Sequence, residues 1–273
     1  MSVSRVAARQ QVASEQTLTA PSTRAQLVTV AWFVGLSLAL ALVATLAGTP
    51  AALLPFILAL GPTVIAVGLA WREGNGALGR LRHALTLRPS RRRWYLVLGL
   101  PIVWALATVG IAVLLGAPTA GLFDHVSPAI AVIFLVVLLP AFAEEVAWRG
   151  FALPRLMTVM SPFKAALLIG IPWTLIHVPL HLPGQINDVL LLWPLGLSIV
   201  SYSVILTWLY VRTGGSVLMT ALVHAGLNAV SPVMAGVDAN TQWIIRNVLA
   251  AVIAVVLIGL GELRRPARHH TST

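Results

Sequence analysis

Three short stretches of this 273-residue chain hold acid–base side chains where none is expected. Glu144-Glu145-Val146-Ala147-Trp148-Arg149 closes an apolar run over 128–143. Trp173-Thr174-Leu175-Ile176-His177 and His224-Ala225-Gly226-Leu227-Asn228 lie inside two further apolar runs. A carboxylate takes a proton from water, an imidazole assists it, and an amide donates to an oxyanion. Together they form an inventory for activating water at a carbonyl carbon. Each stretch also has a plainer reading. Glu145 and Arg149 stand four residues apart and can pair along a helix, which leaves Glu144 on a separate face. His177 can be a buried neutral imidazole bonded to a carbonyl, and His224 with Asn228 an interhelical lock. Three unrelated locks would not be expected to supply a base, two imidazoles and an amide together, so one shared site is the better reading. His181 follows His177 by four residues, but Pro179 between them disfavours a regular helix and a metal pair.

The residues that must position these groups are apolar. The chain is 58% hydrophobic and only 10% charged, with a mean hydropathy of +0.91. A soluble domain carries about 25% charged residues, so this chain must dissolve largely in lipid. It has no cysteine, which removes disulfides, thiolate metal sites and cysteine nucleophiles. The net charge of +10 comes from arginines placed between apolar runs, not from a solvated basic face, so no nucleic acid is expected.

Eight runs are long enough to span a bilayer: Ala25–Leu46, Ala51–Trp71, Trp94–Leu115, Pro128–Leu153, Phe163–Leu180, Ile186–Val211, Ser216–Met234 and Trp243–Leu260. The expected fold is an all-α polytopic membrane bundle. Alternating spans place 17 of the 18 basic residues on one side. Only Arg246 falls elsewhere, early in the last span. The opposite loops hold Asp124, Asp188 and Asp238 and no lysine or arginine. This bias predicts a multi-pass cell-membrane protein with both termini cytoplasmic. The organisation that follows is a disordered tail over 1–24 and N-terminal spans over 25–127. A core over 128–230, a last span within 231–262 and a tail over 263–273 complete it. The polybasic loop 72–93 is expected to meet anionic membrane lipids.

EExxxR, an aromatic-xxx-His and HxxxN, in this order inside spans, resemble the CAAX-protease and bacteriocin-processing (CPBP, or ABI) family of intramembrane proteases. The type II CAAX prenyl endopeptidases belong to that family. The likeness covers about 128–230. It departs from the family's pattern at Trp173, where Phe is usual, a change read as one aromatic for another. The resemblance implies an endopeptidase site built from Glu144, Glu145, Arg149, His177, His224 and Asn228. Glu144 is expected to act as general base with His177 assisting. His224 and Asn228 are expected to donate to the oxyanion, and Glu145 with Arg149 to orient the site. A metal variant uses His177, His224 and Glu144 as zinc ligands; the reading leans to no tightly bound metal. The expected partner is a peptide or protein substrate entering from the membrane; the oligomeric state is not legible. The rivals are a non-catalytic immunity or scaffold protein of the same fold, and a proton-coupled transporter.

Overall fold

The computed structural model describes residues 22–74, 76–89, 91–118, 121, 124, 127–181 and 192–264. Residues 1–21 of the expected tail over 1–24, residues 265–273 of the expected tail over 263–273, and the start of the sixth span before residue 192 lie outside them.

The described chain is all-helical, with α1 Thr23–Leu46, α2 Leu54–Glu73, α3 Ala77–Thr86, α4 Leu100–Leu114, α5 Ala129–Glu145, α6 Leu153–Met157, α7 Pro162–His177, α8 Leu192–Arg212, α9 Val217–Ala229 and α10 Ala239–Gly259. A 3₁₀ turn, Arg92–Gly99, leads into α4, and a π turn, Val146–Ala152, joins α5 to α6. Helix is the form that satisfies every backbone group inside one segment when no water is present. Eight of these rods, some made of joined helices, are long and apolar enough to cross a bilayer. Large apolar side chains such as Val64, Leu96 and Leu114 point outward, where lipid replaces water as their solvent. The chain is a multi-pass membrane protein.

Local chemistry sets the helix ends. Ser22, Ser161, Ser216 and Asp238 each accept a bond from a first-turn N–H. The Asp238 cap starts the last span at Ala239, earlier than the apolar run alone suggests. Pro172 sits inside α7 without ending it, so that helix runs unbroken to His177. The fourth span continues through the π turn to Met157. Glu144 and His177 then each lie roughly 20 Å from their basic-end termini at 1.5 Å per residue, which matches their depths.

The basic ends gather at one end of the bundle. Glu73 at the end of α2 pairs with Arg80 of α3 and with Arg155 of α6. Arg212 at the end of α8 pairs with Glu262 beyond α10, and Trp208 donates to the same carboxylate. The Phe163 N–H donates to the Leu263 carbonyl, and the Ser216 hydroxyl to the Leu87 carbonyl. The polybasic loop therefore contains a short helix, α3, docked against the bundle rather than an open strand of charge. Its Leu81 is buried and lies against Gly150 of the π turn.

Small residues let the site helices approach. A Cβ added to Gly170 of α7 would lie 3.0 Å from the Val200 Cα of α8. A Cβ on Gly226 of α9 would lie 2.5 Å from the Pro101 ring of α4, which cannot bend away. Lipid offers helices no hydrophobic drive to associate, so such close contact carries much of the packing. Gly226→Ala is therefore expected to destabilise the bundle by about 1–3 kcal/mol, the usual cost of overpacking. Thermal melting in detergent reads this; an unchanged midpoint contradicts the α4–α9 contact.

Candidate active site

Glu144 and Glu145 end α5, and the two carboxylates go to different neighbours. The Trp173 indole N–H donates to Glu144 Oε2 at 2.7 Å. The other oxygen, Oε1, faces His177 Nε2 at 3.9 Å. That is too long for a direct bond and suits two groups sharing one water. The Nδ1 atom of His177 lies 2.8 Å from the Trp173 carbonyl, one turn back along α7. A carbonyl only accepts, so Nδ1 carries the hydrogen, and in the neutral ring Nε2 is an acceptor. Glu144 Oε1 and His177 Nε2 thus present two acceptors to the same point.

Glu145 points the other way and is fully buried, as is Arg149. Its Oε1 accepts from Arg149 Nη1 at 3.0 Å and from His224 Nδ1 at 3.0 Å. The pairing expected from i, i+4 spacing forms, and a second helix joins it. Trp173 ties the two carboxylate networks together. Its ring lies 4.4 Å from the Arg149 guanidinium carbon and edge-on to both imidazoles.

The π turn after Glu145 widens the helix where these groups meet. It is held from outside by packing of Phe33 against Trp148 and Phe151, at 5.0 and 5.4 Å between ring centres. Gly150 admits Leu81 and Val217, which a side chain there would displace. On the inner side Thr63 of α2 donates to the Ala143 carbonyl, just before the turn.

Glu144, Trp173, His177, His224 and Asn228 line one cavity of about 310 Å³. Glu145 and Arg149 stand behind its wall. Asn228 is at the rim, exposed. The sequence led us to expect walls from spans four, five and seven. The structure adds α8, through Ser198 and Tyr202, and α10, through Trp243, Arg246 and Asn247. Those residues sit in no recognisable motif; Arg246 alone was signalled, as the base outside the charge partition.

Two expectations change in detail. Trp173 is not a neutral exchange for Phe, because the indole donor it adds is bonded to Glu144. His224 spends Nδ1 on Glu145, so it can donate to an oxyanion through Nε2 only when doubly protonated. For the zinc alternative, among the described residues no three His, Cys, Asp or Glu side chains are grouped to hold an ion, and one of the two Glu144 oxygens, Oε2, is bonded to the Trp173 N–H.

These features define a polytopic helical membrane protein with a buried carboxylate–imidazole site in an internal cavity. Residues 126–230 match the family model described as "Type II CAAX prenyl endopeptidase Rce1-like". The chain is also 29% identical over 177 residues to the CAAX prenyl protease 2 of Methanococcus maripaludis. That alignment covers 58% of this chain and 65% of the length of that protein. The family resemblance carried by the three motifs is borne out, and the matched segment contains all six motif residues.

Proposed function

We propose that this protein is an intramembrane endopeptidase that hydrolyses peptide bonds of membrane-associated peptides or proteins with a water activated by Glu144. The observation that carries the reading is the pair of acceptors, Glu144 Oε1 and His177 Nε2, 3.9 Å apart at the cavity. A water donating one hydrogen to each turns its lone pairs toward a bound carbonyl. As its oxygen attacks the carbonyl carbon, Glu144 takes the proton and later delivers it to the leaving amine while the C–N bond breaks. The Trp173 N–H holds Glu144 in place during both steps. Asn228 donates to the oxyanion, and His224 joins it when protonated, with Glu145 and Arg149 fixing its ring. The names of the relatives make prenylated peptides one substrate class to offer, beside unmodified and lipoprotein-like peptides. The charge bias supports a cell-membrane protein with both termini and the basic end in the cytoplasm.

The test is cleavage of a mixed peptide library by purified protein in proteoliposomes, mapped by mass spectrometry, with metal content measured on the same sample. Defined cleavage that survives chelation, with no stoichiometric metal, is the expected result. One zinc per chain that is lost in His177→Ala overturns the metal-free chemistry. No cleavage of any peptide class overturns the peptidase reading in favour of a non-catalytic protein of this fold.

A further inference from the structure

The cavity holds a charged group that the proposed chemistry leaves unused. Arg246 of α10 lines it beside Tyr202 and Asn247. A guanidinium inside a span is costly, and such groups are normally paired or functional. Among the described residues no carboxylate lies within ion-pairing distance of Arg246. Two polar contacts of the guanidinium are accounted for. Arg246 Nη2 donates at 3.0 Å to the Leu227 carbonyl, among the last of α9 and beyond the reach of a further helical turn. That capping bond asks for a donor and does not ask for a charge. The second is a hydrogen bond with the Tyr202 phenol, which is an ordinary neutral donor and acceptor and likewise asks for no charge.

The next residue gives a second, separate sign. Asn247 is 4% exposed. Its Nδ2 has no hydrogen-bond partner among the described residues, nor has Arg246 Nε. Buried donors left unmade are destabilising, and native proteins rarely keep them without use. A cation and a spare amide donor on one wall suit a ligand that only accepts. The planar guanidinium fork matches a carboxylate best. Glu144, in the same cavity, repels a second carboxylate from its own end. The two charges together would orient an acidic ligand in one direction.

We infer that Arg246, with Asn247, binds a carboxylate of the peptide substrate and so fixes which way the chain lies across Glu144 and His177. This rests on the peptidase reading above. The carboxylate belongs either to the C-terminus of the substrate or to an acidic side chain near it.

The experiment measures binding of dye-labelled Leu/Val/Ala hexapeptides to the Glu144→Gln protein in nanodiscs, with empty nanodiscs as the partition control. Three forms of one peptide are compared: free acid, terminal amide, and terminal amide with a Glu as the last residue. The free acid is expected to bind about tenfold or more tightly than the amide, in line with a charge-assisted bond. Recovery of affinity by the Glu-ended amide assigns a side-chain source; no recovery assigns the C-terminus. Adding Arg246→Gln is expected to bring acid and amide within about twofold, while Arg246→Lys keeps part of the preference. The lysine variant and monodisperse elution guard against misfolding. Binding of both the free acid and the Glu-ended amide to the Glu144→Gln protein no tighter than that of the plain amide, or a preference that survives Arg246→Gln, overturns the proposal. The peptidase reading fails separately: carboxylate-dependent binding without cleavage by the unsubstituted protein sinks that reading and keeps this site.

Discussion

Glu144→Gln is expected to lower peptide turnover by roughly 10³-fold, within the span that general acid–base groups supply, while peptide affinity and melting temperature stay close to those of the unsubstituted protein. The amide is nearly the same size as the carboxylate. Its carbonyl oxygen can still accept the Trp173 indole N–H, the bond that holds Glu144 at 2.7 Å. What it lacks is the basicity to take a proton from water and return it to the leaving amine. The loss should therefore fall on kcat and leave KM nearly unchanged, the signature of an interaction made in the transition state. Glu145→Gln tests the converse, since that carboxylate lies behind the cavity wall and acts through His224. Full turnover by Glu144→Gln would falsify the assignment of the base. A proton-coupled transporter with the same residues would instead lose ion-driven flux and show no peptide products in either form.

The eight spans were legible because lipid leaves the chain few choices. A long apolar run must be helical, and its flanking arginines reveal which ends lie together. The ion pairs of Glu73 with Arg80 and Arg155 gather at one end the segments that the charge bias had put on one side. The three motifs were legible because ionisable groups inside apolar runs are rare, and the structure brings five of the six residues around one indole or one carboxylate. Asn228 is the exception and stands at the rim with no such contact.

Other features were not written in local pattern. The π turn over Val146–Ala152 has an ordinary α-helical sequence; packing by Phe33 and Leu81, far away in the chain, sets its register. The α3 helix was hidden because its arginines read as loop charge, although Leu81 is buried. Tyr202 and Asn247 became cavity residues only when α8 and α10 closed over it. The role of Trp173 was missed for a chemical reason: classing side chains as aromatic discards the donor that distinguishes indole from phenyl.

The largest effect on stability is expected at Arg149. Arg149→Met removes the one arginine that, among the described residues, touches Glu145, and leaves that carboxylate fully buried with the His224 and Thr220 side chains as its remaining hydrogen-bond partners. Breaking a buried pair from one side costs about 3–5 kcal/mol, because the surviving charge keeps its desolvation penalty without compensation. For a chain of this size that corresponds to a fall in melting temperature on the order of 10 °C. The pair itself is a different matter. Among the described residues Arg149 Nε and Nη2 have no hydrogen-bond partners, so its burial is incompletely compensated. Its stacking on Trp173 at 4.4 Å offsets part of that cost. Removing both charges in Glu145→Gln/Arg149→Met should thus recover more than half of the lost stability, read as melting midpoints in one detergent. A double variant no more stable than Arg149→Met alone would show that the two charges are not each other's compensation. The recovered double variant is still expected to turn over peptide poorly. It folds, yet no carboxylate holds His224 and no guanidinium supports the Trp173 ring that carries the bond to Glu144, which is the outcome that separates a pair kept for chemistry from one kept for stability.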